Sequence, residues 1–302
     1  MTATAVSTAA RARTKRARRR TGGRLLMYVF LTGTALLWLA PIGWALFTSF
    51  RPYSDTAQHG YVSIPHKLSL VNYRNAWTQG QIPLHFWNSL LITIPAIALI
   101  LLFAASVAFV VSRFSFWFNV PLLIFFMAAN LLPQQVIITP LYEMYLRVHL
   151  PTWVSSSGLL YDSFLGLILI NVAFQTGFCA FVLSNYMKTI PKSLSEAARV
   201  DGASVTRQFF GIILPLCRPA LAALATLEFT WIYNDFLWAV VLMSSGDKRP
   251  ITSSLTNLQG VYFTDNNLIS AAAILVALPT IIVYVLLQRQ FISGLTLGAN
   301  KG

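Results

Sequence analysis

The amino-acid sequence predicts an all-α protein that crosses a membrane six times. Three observations lead there. Of the 302 residues, 56% are hydrophobic and only 10% charged, with a mean hydropathy of +0.63, whereas soluble domains carry about 25% charged residues. The apolar residues come in runs fenced by charges, each close to the about 20 residues that a helix needs to cross hydrocarbon. These runs are continuous rather than alternating, so helices, not a closed barrel, satisfy the backbone in lipid.

The first span lies between Arg24 and Arg51, where no acid, lysine or arginine intervenes. Further spans follow at roughly 86–112, 118–140, 163–187, 219–245 and 267–288. Pro133 is expected to kink the third. A basic tail over residues 1–24 precedes the membrane domain, residues 25–302. Its run RARTKRARRR at 11–20 has the composition of a nucleic-acid arm, but beside a span it fixes topology and touches anionic membrane lipid, with no nucleic acid as partner. The first apolar run exceeds the length of a signal-peptide core, so it reads as an uncleaved span.

Six spans put both termini on one side. Of the 22 basic residues, 16 fall on that side and 6 on the other, so the positive-inside rule places both termini in the cytoplasm. The stretch of about 35 residues after Arg51, and those near 141–162 and 246–266, are then external. Cys179 and Cys217 suggest no disulfide framework, the four histidines have no metal-ligand spacing, and no GxxxxGK[ST] phosphate loop occurs. If the protein uses ATP, another subunit hydrolyses it.

The cytoplasmic loop 188–218 contains EAARVDGASVTRQFFGIILP. Ser193 and Glu196 have capping-box spacing after Pro191, which predicts a helix from near Ser193. Gly202 after Asp201 ends it after about two turns. Phe209, Phe210, Ile213 and Leu214 form an apolar stripe up to Pro215, predicting a second helix into the fifth span. A helix this short needs a surface to lie against. The residues leave two options open: an amphipathic connector on the headgroups, or a docking element for a cytoplasmic partner, which Ala197, Ala198 and Ala203 let approach closely.

The order Glu196-Ala197-Ala198, Asp201-Gly202-Ala203 and Leu214-Pro215 resembles the EAA loop of ABC importer permeases. NDFLWAVVL at 234–242, LLPQQVIITPLY at 131–142 and the terminal QRQFISGLTLGANKG are similar to carbohydrate permeases of the maltose-system MalG type. The resemblance covers roughly residues 25–302. It implies a MalG/MetI-like fold and a multi-pass subunit of the bacterial cytoplasmic membrane. Its implied partners are a second, homologous MalF-like permease, two ATP-binding-cassette ATPase subunits that bind the ATP and magnesium, and an extracytoplasmic solute-binding protein. Glu196 through Ala203 become the coupling helix, with Glu196 bonding to the ATPase and Gly202 permitting the turn. This chain itself is then no enzyme and holds no cofactor or metal.

In the fifth span Glu228 and Asp235 are seven residues apart, which places them on one helix face about 10 Å apart, near Trp231 and Trp238. Ionisable residues inside a span are functional candidates: carboxylates accept bonds from sugar hydroxyls and indoles pack on sugar C–H faces. Interhelical bonding or a gate is the other reading. Asn234 belongs to the same motif. Asn171 and Gln175 lie one turn apart in the fourth span, and Asn130, Gln134 and Gln135 flank Pro133; such residues either bond neighbouring helices or line a substrate path. Beside an importer for a carbohydrate, a di- or oligosaccharide, stand an ABC permease for a glycerol phosphate or polyol and a secondary transporter or channel. No inverted repeat of broken helices favours the last, and no nucleophile–base set favours an intramembrane enzyme.

Overall fold

The computed structural model describes residues 3–259 and 264–296, so residues 297–302 of the C-terminal motif lie outside it. The described residues form helices and one isolated bridge, His149 with Leu159, but no strand. Helix α1 (Ala3–Ser49) joins the basic tail and the first span in one helix. After α2 (Tyr53–His59) and α3 (Val71–Gln79) comes α4 (Ile82–Arg113), then α5 (Asn119–Leu131), a 3-10 turn (Gln134–Ile137) and α6 (Ile138–Arg147). Helix α7 (Phe164–Thr189) leads to α8 (Lys192–Val200), α9 (Val205–Gln208), a π-helical turn (Phe209–Ile213) and α10 (Leu214–Leu216). The chain continues through α11 (Arg218–Tyr233), α12 (Leu237–Leu242), α13 (Ile251–Ser254) and α14 (Asn266–Thr296).

Four helices are long and apolar enough to cross a membrane unaided: Arg24–Ser49, Ile82–Arg113, Phe164–Thr189 and Asn266–Leu286. Two bent pairs raise the count to up to six among the described residues if each is one span: Asn119–Leu131 with Gln134–Arg147 at 89° and Val205–Leu216 with Arg218–Tyr233 at 74°. The third span is therefore broken rather than kinked. Pro133 offers no N–H and forces its predecessor out of the helical region, so Leu132 is extended at ψ 131. The fifth span is also interrupted: α11 has 16 residues, about 24 Å of helix, less than the hydrocarbon thickness of about 30 Å. The break at 234–236 and α12 follow.

The centre of the bundle is the α4–α7 pair. Ala96, Ala104, Ala105 and Ala108 of α4 are fully buried, as are Cys179 and Ala180 of α7. Small residues let the two backbones approach, which is how helices associate where lipid removes the hydrophobic drive. Helix α5 comes equally near, because a Cβ on Gly177 would meet the Cβ of Phe126 at 2.9 Å. Helix ends are closed by side chains from elsewhere in the fold. Arg113 donates to the carbonyls of Met187 and Ile190 at 3.2 and 3.1 Å, and Asn119 to that of Phe114 at 2.7 Å, taking acceptors that a helix C-terminus leaves open.

The stretch after Arg51, expected as an external loop, is folded. Arg51 is 1% exposed; its Nε donates to Asp55 Oδ2 at 2.6 Å and its Nη2 to Ser63 Oγ at 2.6 Å. The bond from Arg51 holds the Asp55 carboxyl below its ordinary pKa. Asn72 and Asn267 both donate to the Arg51 carbonyl, at 2.8 and 2.7 Å, and Asn267 also donates to Thr56 Oγ1 at 2.8 Å. These bonds fasten the end of α1 to α3 and α14. Replacing Asn267 with Ala is expected to lower stability by about 1–2 kcal/mol, as for other lost buried hydrogen bonds. Thermal unfolding of the purified transporter checks this, and an unchanged midpoint would show that α1 is held by apolar packing alone.

Candidate functional site

Two regions bring the sequence-predicted residues together. The first is the polar turn between α7 and α11. Helix α8 begins at Lys192 behind Pro191, whose ψ of 133 is extended, and no side chain caps it. Ser193 thus lies inside the helix and the expected capping box is absent; the proline already fixes the entry into the first turn. At the other end Gly202 adopts φ +75. Its N–H donates to the Arg199 carbonyl at 3.1 Å, and the Ala203 N–H reaches back to the Ala198 carbonyl at 2.9 Å. This pair of bonds is a Schellman closure. It gives the Asp201-Gly202-Ala203 triplet a physical meaning, since the left-handed residue must follow Asp201 directly and glycine bears that φ without strain.

Ala198 is 7% exposed and faces the protein, while Glu196, Ala197 and Asp201 are exposed. Val200 is 88% exposed and Leu194 43%, an exposed apolar edge of the helix. The foot is tethered behind: Gln208 donates to the Ala203 carbonyl at 2.9 Å, and the Phe209 ring packs on Phe109 of α4 at 5.2 Å. Ile213 is fully buried, Leu214 and Pro215 half-buried. The segment after α8 is thus joined to α4 through Phe209 and to α11 through α10.

The second region is a cavity of about 350 Å³ lined by Asn130, Gln134, Asn171, Phe174, Gln175, Trp231, Asp235 and Trp238. Seven of the ten substrate-path residues named from sequence meet here, from three separate segments. Asn130 donates to the Phe174 carbonyl at 2.9 Å, which bridges the break after α5 to α7. Asn171 donates to Asp235 Oδ2 at 3.5 Å, and Asp235 Oδ1 accepts the Trp238 N–H at 3.2 Å, starting α12. The side chains of Gln134 and Gln175 make no hydrogen bond among the described residues, so their amides are available to a solute. Phe174 stacks on Trp238 at 5.6 Å and Phe178 packs on Trp231 at 5.5 Å.

The other three residues lie elsewhere. Glu228 is fully buried, its Oε1 accepting from the Cys179 thiol at 3.1 Å while Oε2 has no hydrogen-bond partner among the described residues. It does not share a helix face with Asp235, because α11 ends at Tyr233. Asn234 and Asp235 draw backbone bonds to their own side chains, which competes with helix continuation. Asn234 donates to the Thr230 carbonyl at 2.7 Å and to Thr280 Oγ1 at 3.3 Å, joining α11 to α14. Gln135 is exposed outside the cavity. Phe174 escaped the sequence reading, although its position three residues after Asn171 puts it on the same helix face.

Asp55, His59 and His66 place their ligand atoms within 4.8 Å of one another, a grouping the sequence spacing did not suggest. Arg51 holds the carboxylate and the imidazoles stack at 3.9 Å, so the cluster is a hydrogen-bonded clasp. Asp162 is the other acid of consequence. It accepts from the N–H groups of Ser244 and Ser245 at 3.0 and 2.9 Å, from Ser245 Oγ at 2.6 Å and from Lys248 Nζ at 3.0 Å. It thereby ties the end of α12 to the start of α7, two elements that wall the cavity.

Comparison with known proteins shows the family and the fold. The family model for the binding-protein-dependent transport system inner membrane component matches residues 73–296. A probable ABC transporter permease of Pyrococcus horikoshii is 33% identical over 86% of this chain and 91% of its own length. The diacetylchitobiose uptake system permease NgcG of Streptomyces coelicolor is 30% identical over 88% and 86%. The alpha-glucoside transport permease AglG of Rhizobium meliloti is 33% identical over 84% and 68%. Among solved structures, a bacterial ABC transporter involved in import of the acidic polysaccharide alginate superposes with a TM-score of 0.73 at 21% identity, covering 88% of this chain and 95% of that one, which shows the same fold. With the match spanning most of the chain and all of its broken spans, this protein belongs to the inner membrane components of binding-protein-dependent transport systems, the ABC transporter permeases.

Proposed function

We propose that this subunit imports a neutral carbohydrate, a di- or oligosaccharide, with ATP hydrolysed by two partner ATPase subunits and solute delivered by an extracytoplasmic binding protein. The carrying observation is the cavity: amides and one carboxylate converge with two indoles, groups that bond hydroxyls and cover sugar C–H faces. The lining holds Asp235 and no cation, which favours a neutral solute over a glycerol phosphate. The named uptake of diacetylchitobiose and alpha-glucosides by similar permeases supports the same class. An open half-cavity suits a pairing with a second, homologous permease that supplies the facing wall.

In this reading both termini and α8 face the cytoplasm of a bacterial cell, as the basic residues indicate. Glu196 through Ala203 couple to the ATPase, while Leu214 and Pro215 pass the motion to α11. Closure of the ATPase pair moves the feet as near-rigid bodies and turns the cavity from cytoplasmic to external access. The chain transmits work and performs no chemistry of its own. The test is ATPase stimulation of the purified assembly by its binding protein across a sugar panel; stimulation by phosphorylated solutes alone would sink the neutral-sugar reading, and the lack of a co-purifying ATPase would sink the coupling. Asp235→Ala is expected to reduce uptake about 10- to 100-fold by losing a charged hydrogen bond, with the complex still assembled. Wild-type uptake by that variant would remove the cavity from the solute path.

A further inference from the structure

A second pocket, of about 400 Å³, opens at the end of the bundle that carries α8. Its walls come from the end of α4, the start of α5 and the α7–α8 junction. Arg113, Lys188 and Lys192 line it, with no acid. None of the three forms an ion pair among the described residues. Arg113 is fixed in place by the Met187 and Ile190 carbonyls, which occupy two of the five N–H groups of a guanidinium. Its Nε is buried without an acceptor among the described residues.

Phe116 lines the pocket, is exposed and stacks on the exposed ring of Phe118 at 5.2 Å, next in sequence to Trp117, which is 89% exposed. Exposed aromatic side chains at the end of spans sit at headgroup level. Val120 of α5, 64% exposed, and Leu123 also line the pocket. Three basic side chains, an exposed aromatic ring and aliphatic residues lining one pocket match a phosphodiester with attached acyl chains. Basic pockets between spanning helices hold anionic headgroups in this way.

We propose that this pocket binds the headgroup of an anionic phospholipid, in the leaflet that α8 faces. The lipid bridges the α4–α5 turn to the base of the coupling foot, through Arg113 on one side and Lys188 and Lys192 on the other. That this leaflet is the cytoplasmic one rests on the orientation proposed above.

The test uses the assembled transporter in nanodiscs of equal phosphatidylglycerol and phosphatidylcholine, with retained lipid counted by native mass spectrometry. Phosphatidylglycerol is expected to be retained preferentially. The double variant Lys188→Gln, Lys192→Gln is expected to lose it about 30-fold, each basic residue near an anionic surface contributing a factor of about five. Because both lysines are exposed, that variant should fold even if Arg113→Gln loosens the end of α7. Phe116→Ala, which removes the aromatic ring of the pocket lining, supplies an independent reduction. Equal retention of the two lipids, or undiminished retention by the double variant, overturns the proposal. Displacement by millimolar inorganic phosphate would make it a site for a soluble anion, and lipid retained only after the ATPase subunits are stripped would assign the pocket to an acidic ATPase surface. Labelling of Ser115→Cys by an impermeant thiol reagent from outside would overturn the orientation while leaving the lipid result to decide the site.

Discussion

Gly202→Pro is expected to leave the chain in the membrane and abolish uptake. Gly202 sits at φ +75, and proline holds φ near −65°, so the substitution cannot be absorbed locally. It also removes the N–H that donates to the Arg199 carbonyl at 3.1 Å, and it displaces the neighbouring Ala203 bond to Ala198 at 2.9 Å. Without that closure α8 and α9 leave the turn in different directions, and the exposed face of Glu196, Ala197 and Val200 no longer meets a fixed partner. The spanning helices keep their own bonds, so insertion survives. Gly202→Ala separates backbone strain from crowding. A Cβ there meets nothing within 4 Å, so only the left-handed conformation is penalised, by about 1–2 kcal/mol. Uptake and binding-protein-stimulated ATPase activity should fall modestly for the Ala variant and vanish for the Pro variant; normal uptake by Gly202→Pro would rule out the coupling role.

Asp162→Ala is expected to destabilise the transporter by about 3 kcal/mol, since it leaves two backbone donors and a lysine without their acceptor. Asp162 is 5% exposed and stands at φ +57, a conformation that aspartate tolerates better than alanine. The loss falls on the junction of α12 and α7, so the cavity wall around Asp235 and Trp238 should loosen with it. Thermal unfolding and sugar-stimulated ATPase activity should decline together. A variant with an unchanged unfolding midpoint would show that the junction is held by packing.

The same carboxylate fixes a pH dependence. Burial raises the Asp162 pKa, but the bonds from Ser245 and Lys248 outweigh it and the net shift is downward from 3.8. Asp55 is lowered as well, by the hydrogen bond from Arg51. For a carboxyl whose folded pKa is depressed, the stabilisation is complete above the unfolded value and fades as pH falls through the folded one. The folded face at this end of the bundle is therefore expected to hold at neutral and mildly acidic pH and to weaken only below about 4. Unfolding midpoints measured down that range check the sign.

The long spans were legible because hydrophobic runs and fencing charges are local signals, read without any knowledge of neighbours. The same holds for the Asp201-Gly202-Ala203 turn, whose geometry is set by the chain within six residues. The breaks were less legible. Pro133 announced a disturbance, but its size of 89° depends on partners such as Phe174, whose carbonyl receives Asn130. The seven-residue spacing of Glu228 and Asp235 implied a shared face that the break after Tyr233 removes. Once it is broken, Glu228 turns to Cys179 and Asp235 to Asn171.

By itself the sequence determined the membrane class, the continuous spans, the asymmetry of basic residues and the place of the polar turn. Each follows from residue types within one or two helical turns, where geometry is fixed by covalent periodicity. Only the tertiary structure decided which polar side chains meet in the cavity and which are spent on helix contacts. That choice depends on how closely α4, α5 and α7 approach through their small residues, and on where broken helices re-aim the chain, neither of which a local period encodes.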